Sequence, residues 1–162
     1  MNNPWDIIQL LERDNSRLYK EDTLDDFFNT EGLVKGLNYC LDNMITFGVA
    51  DIPKSVSDGS GLSADEFYDL ADQLKNRELT GHAARDAITE VMLIATSEQW
   101  NDWYRRILLK DFRAGFGINT VNKVAKGTVP VFKCMLAHSG DNKPKKITGD
   151  VVVEYKYDGV RA

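Results

Sequence analysis

Over the first 127 residues apolar positions recur at intervals of three and four, and after Gly127 that rhythm gives way to short valine-rich runs. Asn3 and Pro4 read as an N-cap and first-turn pair, with Trp5, Ile8 and Leu11 following at helical spacing in a segment that ends near Lys20. A second helical stretch opens near Thr23 and carries Leu24, Phe27, Phe28, Leu33, Leu37, Cys40, Leu41 and Met44 as one apolar stripe. Gly32 and Gly36 weaken a helix interior, so a bend or break is predicted there. FGVADIPKSVSDGSG at 47–61 reads as a loop. Ser63 and Glu66 then form a Ser-x-x-Glu capping box that opens a helix through Phe67, Leu70 and Leu74. A further helix follows Thr80-Gly81, and another starts at a Ser97 cap with Trp100, Trp103, Ile107 and Leu108 along it. A tight turn, Ala114-Gly115-Phe116-Gly117, precedes a short helix from Asn119 to about Lys126.

This pattern predicts a mainly α chain: an all-helical domain of five to seven helices over 1–128, and a second, strand-containing domain beginning at 129–162. VPVFKCMLA and DVVVEYKY are the strand signals, and HSGDNKPKKITG is the polar loop between them. Trp5, Trp100 and Trp103 read as packing residues rather than as platforms for stacked bases.

Charge changes the picture more than composition does. The net charge of −5 hides an uneven division. Residues 1–100 hold 8 Lys and Arg against 19 Asp and Glu, a balance of −11, and residues 101–162 hold 12 against 6, a balance of +6. The basic third is suited to meet phosphates while the acidic part faces solvent. No apolar run of about eighteen residues is present to span a bilayer, and the N-terminus lacks the basic-then-apolar order of a secretory signal. A soluble, cytoplasmic monomer without membrane contact is expected, in the host cytoplasm if the source is viral. Cys40 and Cys134 lie far apart with no Cys-x-x-Cys or histidine spacing, so reduced thiols are expected, Cys40 in a helical core.

The candidate chemistry sits at the end of the chain, where Lys156, Asp158, Gly159 and Arg161 follow a strand into a turn. A lysine amine is protonated at neutral pH, so a nucleophilic Lys156 needs burial, a neighbouring arginine such as Arg161, or a metal ion to disfavour its charge. Gly159 lets the backbone reverse without a side chain crowding a bound nucleotide, and the planar fork of Arg161 suits phosphate. A surface hairpin that happens to carry these residues is the plain alternative.

The pattern Lys-x-Asp-Gly-x-Arg resembles the first motif of the covalent nucleotidyltransferases, which include ATP-dependent DNA ligases, RNA ligases and mRNA capping enzymes. MLAH at 135–138 and EYKYDGVRA at 154–162 resemble the opening of the adenylation domain of ATP-dependent DNA ligases. LTGHAARDAI at 79–88, ILLKDFRAGFGINTVNKV at 107–124 and FGVADIP at 47–53 are similar to the N-terminal DNA-binding domain of the bacteriophage-type enzymes. The resemblance implies that Lys156 is the adenylated nucleophile, that Glu154 helps recognise the adenosine, that Arg161 contacts the nucleotide, and that Asp158 and Gly159 orient the motif. It implies ATP and a divalent metal such as Mg2+ as cofactors, nicked double-stranded DNA as partner, and nick sealing through a lysyl-AMP intermediate. His138 receives no catalytic role.

In the helical part, Gly115 and Gly117 are expected to turn backbone N–H groups outward, with Asn119 or Thr120 capping a helix whose N-terminus favours an anion. A DNA phosphate is the natural anion, with Arg113, Lys123 and Lys126 adding charge. A glycine turn between packed helices with incidental basic residues is the plain reading of the same stretch. Nothing follows Arg161 except Ala162, so the chain is expected to supply DNA binding and the nucleophilic lysine but to be inactive alone. An RNA ligase or capping-type enzyme, and a non-enzymatic DNA-binding module, are the alternatives.

Overall fold

The computed structural model describes residues 3–132 and Gly149. Residues 129–132, the start of the first predicted strand, are described and form no strand; the rest of that strand, the second predicted strand, Cys134, His138 and the motif residues Glu154, Lys156, Asp158, Gly159 and Arg161 lie outside the described residues. By its internal contacts the chain divides after Val131. Every helix below belongs to the first unit.

Among the described residues seven α-helices and one π-helical segment follow one another as α1 Pro4–Glu12, α2 Arg17–Phe27, α3 Leu33–Leu41, α4 Ala64–Lys75, α5 Gly81–Ile94, the π-helix Gln99–Tyr104 running directly into α6 Arg105–Leu108, and α7 Ile118–Val124. α1 packs on α2 and on the π-helix, α2 on α7, α3 on α6, and α4 on α5. Ile7, Ile8 and Leu11 of α1, Leu33, Leu37 and Cys40 of α3, Phe67, Leu70 and Leu74 of α4, and Trp100, Trp103 and Ile107 are all buried in one core. Burial of this apolar surface is the main favourable contribution to the fold, at about 25 cal/mol per Å2 removed from water. The same burial pushes the Cys40 thiol up to about 12, so it is an inert core group.

The first predicted helix does not reach Lys20. It ends at Glu12, and the chain bends through Arg13–Ser16, where the Asp14 side chain accepts the Ser16 backbone N–H at 2.7 Å. Ser16 then stands at the head of α2. The Asp-Asn-Ser run thus behaves as a turn and helix start, the role its short polar side chains favour. The stretch predicted to open near Thr23 is likewise two helices, with Thr23 inside α2 and the break at Phe28–Gly32. Met44 falls beyond α3 and is exposed rather than part of the buried stripe.

The capping box at the head of α4 forms as expected: the Glu66 N–H donates to Ser63 Oγ at 3.3 Å, and the Ser63 N–H donates to Glu66 Oε2 at 3.2 Å. Ser97 does not cap the following helix. Its N–H and hydroxyl donate to Asp58 at 2.7 and 2.6 Å, while Thr96 takes the capping role, its Oγ1 accepting the Gln99 N–H at 3.2 Å; the helix begins at Ser97 and widens to the π form from Gln99. That widening aims side chains at the long 42–63 connection. Trp100 Nε1–H donates to the Pro53 carbonyl, Gln99 Oε1 accepts from the Leu62 N–H, and Asn101 exchanges hydrogen bonds with both backbone groups of Ser55. A stretch without secondary structure of its own is thereby held by one turn of helix, a use typical of π segments. Trp100 and Trp103 are buried and Trp5 packs against the core, as packing residues should.

Candidate nucleic-acid interface

The turn that joins α6 to α7 is built from three left-handed residues in six positions: Lys110 at φ 61°, Arg113 at φ 54° and Gly115 at φ 65°. Lys110 closes α6, its N–H bonding to Ile107 O and the Asp111 N–H to Arg106 O, which is the Schellman pattern with lysine in the place glycine favours. Its ammonium reaches back to the carbonyls of Tyr39 and Asp42 at 2.9 and 2.6 Å, fixing the turn to the end of α3. Phe112 stacks between Trp103 and Phe116 at centroid distances of 5.3 and 5.8 Å, so an aromatic column runs from the core into the turn.

Arg113 projects from this anchored backbone into solvent. Its N–H donates to the Asp111 carboxylate at 2.8 Å, a local bond that supports the left-handed conformation. An exposed arginine held in a costly conformation points to a positional requirement. Arg105 stands beside it, half-buried and donating through Nε to the Ile52 carbonyl at 2.8 Å. Burial lowers the Arg105 pKa from its ordinary value, and the charges of Arg113 and Arg106 lower it further against the opposing pull of Asp51. Arg106 is matched by Glu12 and Asp102. Arg113 has only the exposed Asp111 carboxylate, 4.0 Å from its Nε, so the Arg105–Arg113 pair is incompletely neutralised and an anion that bridged it would relieve the repulsion.

The predicted residues are only partly brought together. Gly115 is exposed and left-handed, whereas Gly117 is extended at φ −153°, a conformation open to any residue. Gly117, not Asn119 or Thr120, occupies the N-cap of α7; Asn119 and Thr120 lie within the helix, which runs Ile118–Val124. No side chain caps that end. Lys126 is exposed with no ion pair among the described residues. Lys123 is otherwise engaged: its ammonium lies 2.5 Å from Glu21, which also receives Arg17 Nε at 2.6 Å. Lys123 thus clamps α7 to α2 instead of offering a free charge.

Two residues that the sequence pattern did not single out matter here. Arg105 sits in a helix with no motif around it. Lys20 is 2% exposed on α2 and donates to the Ala114 carbonyl at 2.5 Å, directly under the turn. A Cβ at Gly115 would stand 2.5 Å from the Lys20 Nζ, so the glycine serves close approach as well as backbone conformation.

The Glu21 clamp carries a pH signature. Hydrogen bonds from Lys123 and then Arg17 hold its carboxyl below the ordinary glutamate value. A carboxylate depressed in the folded state contributes fully above its unfolded value and loses that contribution as pH falls through the depressed one. In carboxyl-carbon NMR the Glu21 midpoint is therefore expected below that of a free glutamate, and Lys123→Ala is expected to raise it. A wild-type midpoint at the ordinary glutamate value would mean that the clamp does not form in solution.

No protein-family model matches the chain. Two curated proteins, the DNA ligases of Enterobacteria phages T4 and T6, are each 32% identical to it over 90 residues, covering 54% of this chain and 18% of theirs. Two solved structures, titled Pmar-Lig_Pre. and Pmar-Lig_PreS3, superpose with TM-scores of 0.81 at 40% and 41% identity, covering 90% of this chain and 35% of theirs. The chain thus spans under a fifth of the phage proteins and about a third of the solved ones. The resemblance to phage-type DNA ligases read from the sequence is borne out by these relatives. Among the described residues no helix is long and apolar enough to cross a membrane, and no group of three potential metal ligands is found.

Proposed function

We propose that this relative of the phage-type DNA ligases supplies the duplex-gripping part of a nick-sealing enzyme. The observation that carries the reading is the Arg105–Arg113 pair on the anchored turn. It offers two guanidinium groups, Arg105 with no carboxylate in ion-pair distance among the described residues and Arg113 with only the exposed Asp111 carboxylate, 4.0 Å from its Nε, and both suit phosphates along a duplex backbone. Lys126, exposed after α7, adds a further cation to this unit.

In this reading Lys156 attacks the α-phosphate of ATP and carries AMP, Glu154 and Arg161 hold the nucleotide, and Asp158 and Gly159 orient the motif. A divalent ion balances the departing pyrophosphate. The AMP then passes to the 5′-phosphate of a nick before the 3′-hydroxyl displaces it. The enzyme works as a monomer in the cytoplasm, the host's if it is viral, and the 162-residue chain alone binds DNA without sealing it.

The test is fluorescence anisotropy of the chain on a nicked DNA duplex and on RNA of the same sequence, across a salt series. Nicked DNA is expected to bind better, with affinity falling steeply as salt rises. Arg105→Ala with Arg113→Ala is expected to weaken binding at least tenfold and to reduce the log–log salt slope by about two. A clear preference for RNA would favour an RNA ligase or capping-type enzyme, and an unchanged slope in the double variant would remove this surface from the interface.

A further inference from the structure

A cavity of about 600 Å3 lies where the start of α1, the α2–α3 connection and the head of α4 meet. Its chemistry is opposite in sign to the arginine turn. Trp5, Phe27, Tyr68, Trp103 and Tyr104 supply aromatic wall, Asp26 and Glu31 supply carboxylates, and no lysine or arginine lines it. Trp5 and Phe27 are half-buried, leaving ring surface open to an occupant, while both carboxylates are exposed. Tyr68 contributes a buried hydroxyl that has no hydrogen-bond partner among the described residues. Outside the cavity lining, the Lys35 ammonium already sits 3.9 Å from the Tyr68 ring centroid, so a cation is accommodated on this aromatic cluster.

These walls select among occupants. A phosphate or carboxylate would face Asp26 and Glu31 with no lysine or arginine in the lining itself to offset the repulsion, the Lys35 ammonium being already engaged on the Tyr68 ring. A purely apolar occupant would cover the rings while drawing two carboxylates out of water without a partner, which is costly. A guanidinium meets both demands, because its plane stacks on aromatic faces and its fork binds carboxylate with two parallel hydrogen bonds. It is also more weakly hydrated than an ammonium, so arginine enters an aromatic site at lower cost than lysine. The volume suits a short peptide segment. The surrounding residues 1–100 carry a balance of −11, a field that attracts a basic chain.

We propose that this cavity receives an arginine side chain presented by a basic segment of a partner protein, a binding role separate from the grip on DNA. The Trp5 indole N–H and the Phe27 backbone amide are followed by NMR while the full 162-residue chain is titrated with acetyl-Ala-Arg-Ala-amide. The matched control is the same peptide with citrulline, which keeps the shape and loses the charge. Saturable shifts at both reporters are expected, with the arginine peptide binding at least tenfold more tightly than the citrulline peptide. Asp26→Asn with Glu31→Gln alters two exposed side chains and is expected to abolish that difference while leaving the spectrum folded. Equal binding of both peptides, absence of shifts at Trp5 and Phe27, or a tenfold preference that survives the double variant would each overturn the proposal.

Discussion

Gly36→Ala is expected to destabilise the helical unit by about 2 kcal/mol, although the same change in an exposed helix stabilises by up to about 1 kcal/mol. The reversal comes from packing. A Cβ at Gly36 would stand 2.1 Å from Cζ2 and 2.5 Å from Cη2 of Trp103. Those separations lie far inside van der Waals contact, and the atom is fixed to the helix backbone, so no rotamer change relieves it. The indole cannot yield easily either, since Trp103 is 2% exposed and stacks on Phe112. Overpacking of this kind costs about 1–3 kcal/mol or more, and the rigid backbone and trapped ring place Gly36 toward the upper end before the propensity gain is subtracted. The check is urea unfolding in two backgrounds. Gly36→Ala should cost about 2 kcal/mol beside Trp103 and become neutral or stabilising beside Trp103→Leu, a coupling of the size expected for residues in contact. A cost that is the same in both backgrounds would show that the Trp103 contact is not its origin.

Gly36 also shows what a pattern of residues conveys and what it withholds. As a weak helix former between Leu33 and Leu37 it suggested a bend, and the chain does break at Gly32, yet Gly36 lies inside α3 because Trp103 needs its bare surface. Helical rhythm and capping chemistry are local, so α4 with its Ser63–Glu66 box and the apolar body of α5 were readable. The turn chemistry of Asp14-Asn15-Ser16 marks the α1–α2 break as well, against the apolar spacing that runs across it. The π-helix was not readable, because its cause lies more than thirty residues away in the loop groups of Pro53, Ser55 and Leu62. The candidate interface divides in the same way. Arg113 and Gly115 stood out beside a glycine turn, but Lys123 looked equally available until Glu21, distant in sequence, was found to hold it. Arg105 gained meaning only from its proximity to Arg113.

Lys20 is the strongest case of a role that only the fold reveals, and Lys20→Ala is expected to cost about 3–5 kcal/mol. The side chain is 2% exposed, its ammonium has no carboxylate within ion-pair distance among the described residues, and its bond goes to the Ala114 carbonyl. Truncation removes about three buried methylenes at about 0.8 kcal/mol each and leaves that carbonyl without a donor, a further loss of about 1–3 kcal/mol. Lys20→Met keeps most of the stem and removes a charge that is expensive to bury, so its net effect should stay within about 1 kcal/mol. Both variants release the carbonyl that ties Ala114 and Gly115 to α2, which allows Arg113 to lose its fixed direction. Nicked-duplex affinity should therefore fall severalfold in Lys20→Met even though the protein remains nearly as stable. The salt series separates this from a lost phosphate contact: Lys20→Met should leave the log–log slope unchanged, because no contacting charge has gone, whereas Arg113→Ala should lower it by about one. A slope that falls equally in both would mean that the Lys20 ammonium meets DNA directly, and an undiminished affinity in Lys20→Met would show that the turn holds its geometry without it.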